Sequence, residues 1–153
     1  MLSDLVKQEI ASQMDMAHPK GIRIEALQIV RKHYGWISDE MLRDLAAFLD
    51  MDPVELDGVA TFYNHLYRRP VGRHVILVCD SVSCWIMGYE SLVEHLTKRL
   101  DIRMGETTAD GRFTLLPIQC LGSCHKAPAL MIDADLHEEL DELKLDAILA
   151  QYP

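Results

Sequence analysis

What most restricts the fold of this 153-residue chain is the placement of its four cysteines. Cys79 and Cys84 form a C-x4-C pair and Cys120 and Cys124 a C-x3-C pair, with 35 residues between them. Both pairs fall in loops just beyond runs that read as strands, Val75-Ile76-Leu77-Val78 before the first and Arg112-Phe113-Thr114-Leu115-Leu116 before the second. The first run is continuously apolar, as expected of a strand covered on both faces. Strand ends that meet at one sheet edge bring their loops together, so four thiolates can converge on one site.

Around that constraint the hydrophobic period changes once. From residue 1 to about 65 it is helical. Val6, Ile10 and Met14 recur every four residues, and Leu27, Val30 and Tyr34 at three and four, with Gly35 placed as a stop. Ser38 is the expected N-cap of a helix whose buried stripe is Leu42, Leu45 and Leu49. Asp52-Pro53-Val54-Glu55 opens another, with Asp52 capping, Pro53 at the first helical position and Glu55 completing a capping box. Its stripe is Leu56, Val59 and Phe62, and Phe62 and Tyr63 are expected in the core or in domain packing. Arg68-Arg69-Pro70-Val71-Gly72-Arg73 breaks the pattern and reads as a solvated linker, its basic character leaving open a contact to an acidic partner. The expected domains are a helical one over 1–70 and a second over 71–153.

In the second part Tyr89, Leu92, Val93, Leu96 and Leu100 form a helical stripe. Thr107-Thr108-Ala109 and residues 112–116 flank Asp110-Gly111 as a two-residue hairpin. Ala129-Leu130-Met131-Ile132 reads as a strand, and Leu140, Leu143, Ala147 and Ile148 as one face of a closing helix. The order β, α, β, β, β, α makes the class α/β (α+β), a helical bundle followed by a small sheet flanked by helices.

Composition removes several function classes. The net charge of −9 makes nucleic acid or an anionic membrane an improbable partner. No apolar run approaches the ~20 residues of a membrane span, and the first residues lack the pattern of a targeting segment, so the expectation is a cytoplasmic protein. The acidic stretch Asp133 to Asp146 reads as a solvated face. There is no Gly-rich nucleotide fingerprint, P-loop or nucleophile elbow. His18, His33, His65, His74, His95 and His137 are scattered without ligand spacing. No residue is assigned a catalytic role.

The cysteines admit three readings. Disulfides are disfavoured in a reducing compartment. Structural zinc usually pairs cysteines two residues apart at tight knuckles, whereas the spacings here are four and three. A [2Fe-2S] cluster fits these longer loops better, because they let backbone N–H groups turn toward sulfur, and Gly122 suits such a turn. Spacing alone leaves zinc and a plain thiol role open. His125, next to Cys124, is discounted as a Rieske-like ligand because four cysteines already complete a cluster.

Cys79-Asp80-Ser81-Val82-Ser83-Cys84, Gln119-Cys120-Leu121-Gly122-Ser123-Cys124 and Gly58-Val59-Ala60-Thr61-Phe62-Tyr63, three separated motifs, carry a specific resemblance. The chain resembles the 24 kDa-type subunit family of bacterial NADH:quinone oxidoreductase, respiratory complex I, over nearly its whole length. The resemblance implies a helical N-terminal domain and a thioredoxin-like ferredoxin domain holding one [2Fe-2S] cluster on Cys79, Cys84, Cys120 and Cys124. It implies a partner subunit that binds FMN and NADH, with which the cluster exchanges single electrons, further peripheral-arm subunits, and a location peripheral to the inner membrane through the complex. It also suggests a cis bond before Pro128, with an ordinary trans proline opening a strand as the alternative. Members often carry His after the second ligand; here Trp85 stands there, either shielding the cluster or packing. The equivalent diaphorase subunit of an NAD-dependent formate dehydrogenase or hydrogenase resembles this module closely. From a different class, a zinc-stabilised interaction module remains the rival, and a disulfide exchanger is disfavoured for want of C-x-x-C.

Overall fold

The computed structural model describes residues 1–14 and 21–153, so His18 lies outside the described residues. The chain is mixed α/β and divides into two compact units, Met1–Pro70 and Val71–Pro153. Among the described residues no helix is long and apolar enough to cross a membrane.

The first unit contains helices α1 (Asp4–Met14), α2 (Arg23–Tyr34), α3 (Asp39–Phe48) and α4 (Pro53–Phe62). Their ends follow from local chemistry. Ser38 accepts from the Met41 N–H and Asp52 from the Val54 N–H, each satisfying a donor the helix leaves open. Gly35 closes α2 at φ +80°, its N–H donating to Arg31 O at 2.7 Å. Val6, Ile10, Leu27, Val30, Leu42, Leu45 and Leu56 are all buried in one cluster. Each such side chain contributes about 1.5–3 kcal/mol relative to exposure.

Three expectations fail in this unit. Glu55 forms no capping box; it pairs with Arg23 at 2.7 Å. The buried face of α4 is Leu56 and Ala60, while Phe62 is 78% and Tyr63 40% exposed, stacked edge-on against each other with centroids 5.1 Å apart. α4 ends at Phe62, so the chain turns away before an aromatic there can reach the core. Finally, Arg68 is no solvated linker residue. Its guanidinium pairs with Asp57 at 2.8 Å and Asp39 at 2.7 Å and also donates to Ile37 O.

The second unit is built on strands β1 (His74–Cys79), β2 (Phe113–Ile118), β3 (Leu130–Ile132) and β4 (Asp135–His137), with helices α5 (Val82–Ile86), α6 (Tyr89–Leu100) and α7 (Glu142–Leu149). The sheet order is β2-β1-β3-β4. β1 runs parallel to β2 and antiparallel to β3, and β3 is antiparallel to β4. As its uninterrupted apolar sequence predicts, β1 is buried from Val75 to Cys79. Leu92 and Leu96 of α6, Leu145 and Leu149 of α7, and Ile76, Leu115 and Ile132 of the sheet share one core.

Here too the details differ from the sequence reading. Residues 107–109 form no strand; Thr107 makes a single bridge to Thr114. The Gly111 N–H donates to Thr108 O at 2.8 Å, and the Asp110 carboxylate accepts from the Thr108 hydroxyl and the Arg112 N–H. Of the two turn residues, only Gly111 has positive φ, so the turn is not the two-residue hairpin expected. The fourth strand is instead β4, drawn from the acidic stretch. On α7 the buried positions are Leu145 and Leu149, and Leu143 is 84% exposed; Asp141 caps the helix and sets that phase. The start of the unit is held close to the turn, since a Cβ on Gly72 would meet the Arg112 carbonyl carbon at 3.0 Å.

Candidate metal centre

The parallel pair places both cysteine segments at one end of the sheet. Cys79 is the last residue of β1 and lies opposite Ile118, the last of β2. The Asp80 N–H donates to Ile118 O at 3.0 Å, extending that register one residue further. The supports differ from the two loops expected. Cys79 belongs to the strand, and Cys84 sits on the short helix α5, which begins after only two intervening residues. Cys120 follows β2 after one intervening residue, and Cys124 opens a single 3-10 turn, Cys124–Lys126.

All four thiols are free, Cys79 and Cys84 buried, Cys120 and Cys124 exposed. Cys120 Sγ lies 3.3 Å from Cys124 Sγ. Cys79 interacts with Cys84 on one side and with Cys120 on the other. Backbone donors point at the sulfurs. The Gly122 N–H donates to Cys120 Sγ at 3.4 Å, with Gly122 at φ +85°, where a side chain would be strained. The Ala129 N–H donates to Cys84, and Ala129 O accepts from the Cys79 N–H at 3.2 Å. The Ala127-Pro128 bond just before it is cis. Two serines of the first segment reach across, Ser81 to Cys120 and Ser83 to Cys124.

These contacts divide the thiols electrostatically. The Gly122 N–H, and after it the Cys124 thiol, holds Cys120 below the ordinary thiol range. Burial, then the Cys79 thiol, pushes Cys84 up to about 11. Sharing a proton with Cys120 raises Cys124. A cation or cationic cluster placed among them would favour all four as thiolates.

The remaining sequence candidates separate cleanly from this site. His125 is exposed on the 3-10 turn. His33 is taken up by Glu9, His74 by Asp133, His95 by Asp146 and His137 by Tyr152. His65 is exposed, and partial desolvation, then the Arg31 charge, lowers its pKa. Trp85 is 58% exposed, so it is not part of the core, and its indole N–H donates to Glu90 at 3.4 Å. Sequence reasoning missed Ser81, Ser83 and Ala129, whose signal is only their position beside a ligand or a cis-proline, and Glu138, considered below.

Among the described residues no group of three or more His, Cys, Asp or Glu is placed to hold a single metal ion. What the sheet end presents is two thiol pairs ringed by N–H and O–H donors, and that donor set fits a thiolate-bound iron–sulfur cluster. Such an arrangement on a small α/β sheet defines a ferredoxin-type scaffold. This chain belongs to the thioredoxin-like [2Fe-2S] ferredoxin family, whose sequence profile matches residues 6–153. Among curated proteins, the NADH-quinone oxidoreductase E subunit of Pseudomonas aeruginosa is 48% identical over 141 residues, covering 92% of this chain and 85% of the relative. The protein of the same name from Escherichia coli K12 is 46% identical over 145 residues, covering 93% and 87%. Among solved structures, NAD+-reducing [NiFe]-hydrogenase in its H2-reduced state matches with TM-score 0.70 at 26% identity, over 82% of this chain. The air-oxidized state matches with TM-score 0.65 at 30% identity, over 74%. This chain spans only 22% and 21% of those hydrogenase chains.

Proposed function

We propose that this protein is the single-electron carrier of an NADH:quinone oxidoreductase, the 24 kDa-type component of a respiratory complex I, with one [2Fe-2S] cluster held by Cys79, Cys84, Cys120 and Cys124. The observation that carries the reading is the convergence of two thiol pairs at one end of the parallel β1–β2 pair. When bound, the cluster supplies a site that accepts and returns one electron at a time. The protein supplies the rest. Cys79 and Cys84, both 2% exposed, keep water from the inner side of the site, while the exposed Cys120 and Cys124 mark the side from which a redox partner approaches. The N–H groups of Gly122 and Ala129 and the hydroxyls of Ser81 and Ser83 stabilise negative charge on sulfur. No side chain is needed as acid, base or nucleophile.

The partner in this reading is the component of the same complex that binds FMN and NADH, together with further peripheral-arm subunits; the protein reaches the inner membrane only through them. A hydrogenase diaphorase role is supported by the solved structures, but identities of 46–48% over most of both chains favour the quinone-reducing complex. Iron, acid-labile sulfide and zinc per chain, measured on anaerobically purified protein with a spin-resonance spectrum after dithionite, test the cluster. Two irons, two sulfides and an S = 1/2 signal are expected. One zinc and no signal would overturn it in favour of an interaction module.

A further inference from the structure

Glu138, directly after β4, belongs to the acidic stretch that reads from sequence as a solvated face, yet it is turned toward the second cysteine segment. The hydroxyl of Ser123, a residue only 6% exposed, donates to Glu138 Oε1. Lys126 Nζ donates to Glu138 Oε2 at 3.2 Å. Ser123 and Lys126 lie on either side of Cys124, so one carboxylate grips both flanks of the 3-10 turn. The backbone reinforces the grip, with the Glu139 N–H donating to Lys126 O at 2.8 Å and the Leu140 N–H to Pro128 O at 3.3 Å. The two side-chain donors, Ser123 first, hold the Glu138 carboxyl below the usual range, so it stays ionised.

We propose that Glu138 is a positioning residue for the second ligand pair, tethering the Cys120–Cys124 segment through Ser123 and Lys126 and setting, with Lys126, the net charge beside the cluster. The inference rests on the cluster reading above. Cys120 and Cys124 are exposed and carried on non-strand backbone, so without a tether the segment would sample many conformations and bind a cluster at an entropic cost. A charge within the same segment acts on a reduction equilibrium because the reduced cluster carries one more negative charge.

The test uses full-length protein with its cluster, and the variants Glu138→Gln, Lys126→Met and Ser123→Ala. Reductive titration followed by spin resonance reads the one-electron equilibrium, and hydrogen exchange of the 120–126 amides is read on the metal-free chain. Glu138→Gln keeps an acceptor for Ser123 but leaves Lys126 unneutralised, so the equilibrium moves toward the reduced form by at least about threefold. Lys126→Met moves it the opposite way. Ser123→Ala leaves it near wild type and speeds amide exchange across 120–126. A purely structural role does not produce opposite signs from Glu138→Gln and Lys126→Met. Unchanged or same-direction equilibria in those two variants, or unchanged exchange in Ser123→Ala, would overturn the proposal. A wild-type chain without iron and sulfide overturns it together with the electron-carrier reading, which separates the two failures.

Discussion

The two cysteine pairs, ligands of one cluster in the proposed reading, stand on different supports. Cys79 and Cys84 are buried, one on a central strand and the other on a helix that begins three residues later. Cys120 and Cys124 are exposed on a segment with no strand or α-helix of its own. The first pair is placed by the core and the second by local hydrogen bonds. A metal site built on them would have a rigid half, whose geometry is fixed by packing, and an adjustable half, whose geometry is fixed by a few polar contacts.

That contrast is tested most severely in the core. Leu115→Ala, in β2 and fully buried, is expected to destabilise the metal-free protein by about 2–5 kcal/mol, read from denaturant unfolding. Next in size, Cys79→Ala is expected to cost about 1–2 kcal/mol and Cys120→Ala no more than about 0.5 kcal/mol, although either abolishes stoichiometric iron binding. Equal costs for these two variants would erase the distinction between the halves. Gly122→Ala places a side chain at φ +85° and is expected to cost about 1 kcal/mol, with faster cluster loss on exposure to a chelator as its sharper signature.

pH singles out Cys84 of the buried pair. The native Cys84 thiol is raised to about 11 from an ordinary 9.0, so the native state holds that proton more tightly than the unfolded chain. The stabilisation is present below pH 9 and is lost as pH rises from about 9 to about 11, a decline that Cys84→Ala flattens. Alkylation of the metal-free chain, followed by mass spectrometry, is expected to label Cys120 first and Cys84 last. The smallest effect is expected of Trp85→Ala: as the indole is largely exposed, stability should change by less than about 0.5 kcal/mol.

Much of the rigid half was legible in the sequence. A run of four apolar residues ending at Cys79 announces a buried strand, and in the helical unit Asp52-Pro53 and Ser38 likewise announce helix starts, because these signals are local. The adjustable half was legible only in its ligands and in Gly122. Glu138 is close to Ser123 because β3 and β4 fold back on each other through Asp133 and Ala134, and strands of three residues are too short to leave a periodic trace in an acidic and polar stretch. The same shortness hides β4, whereas Phe62, in phase with a buried stripe, is exposed because its helix ends there. The α5 helix has no sequence signature because five residues are too few to display a period.

The parallel pairing of β1 and β2 bears on the order of events at the ribosome. Cys79 and Cys84 are synthesised with 35 residues still to come before Cys120, and parallel strands cannot pair until the whole crossover between them has emerged. For that interval the first two thiols are unburied and have no counterpart. If the four thiols hold a cluster as proposed, its insertion follows sheet closure rather than guiding it, and the early thiols depend on the reducing power of their surroundings until their partners arrive.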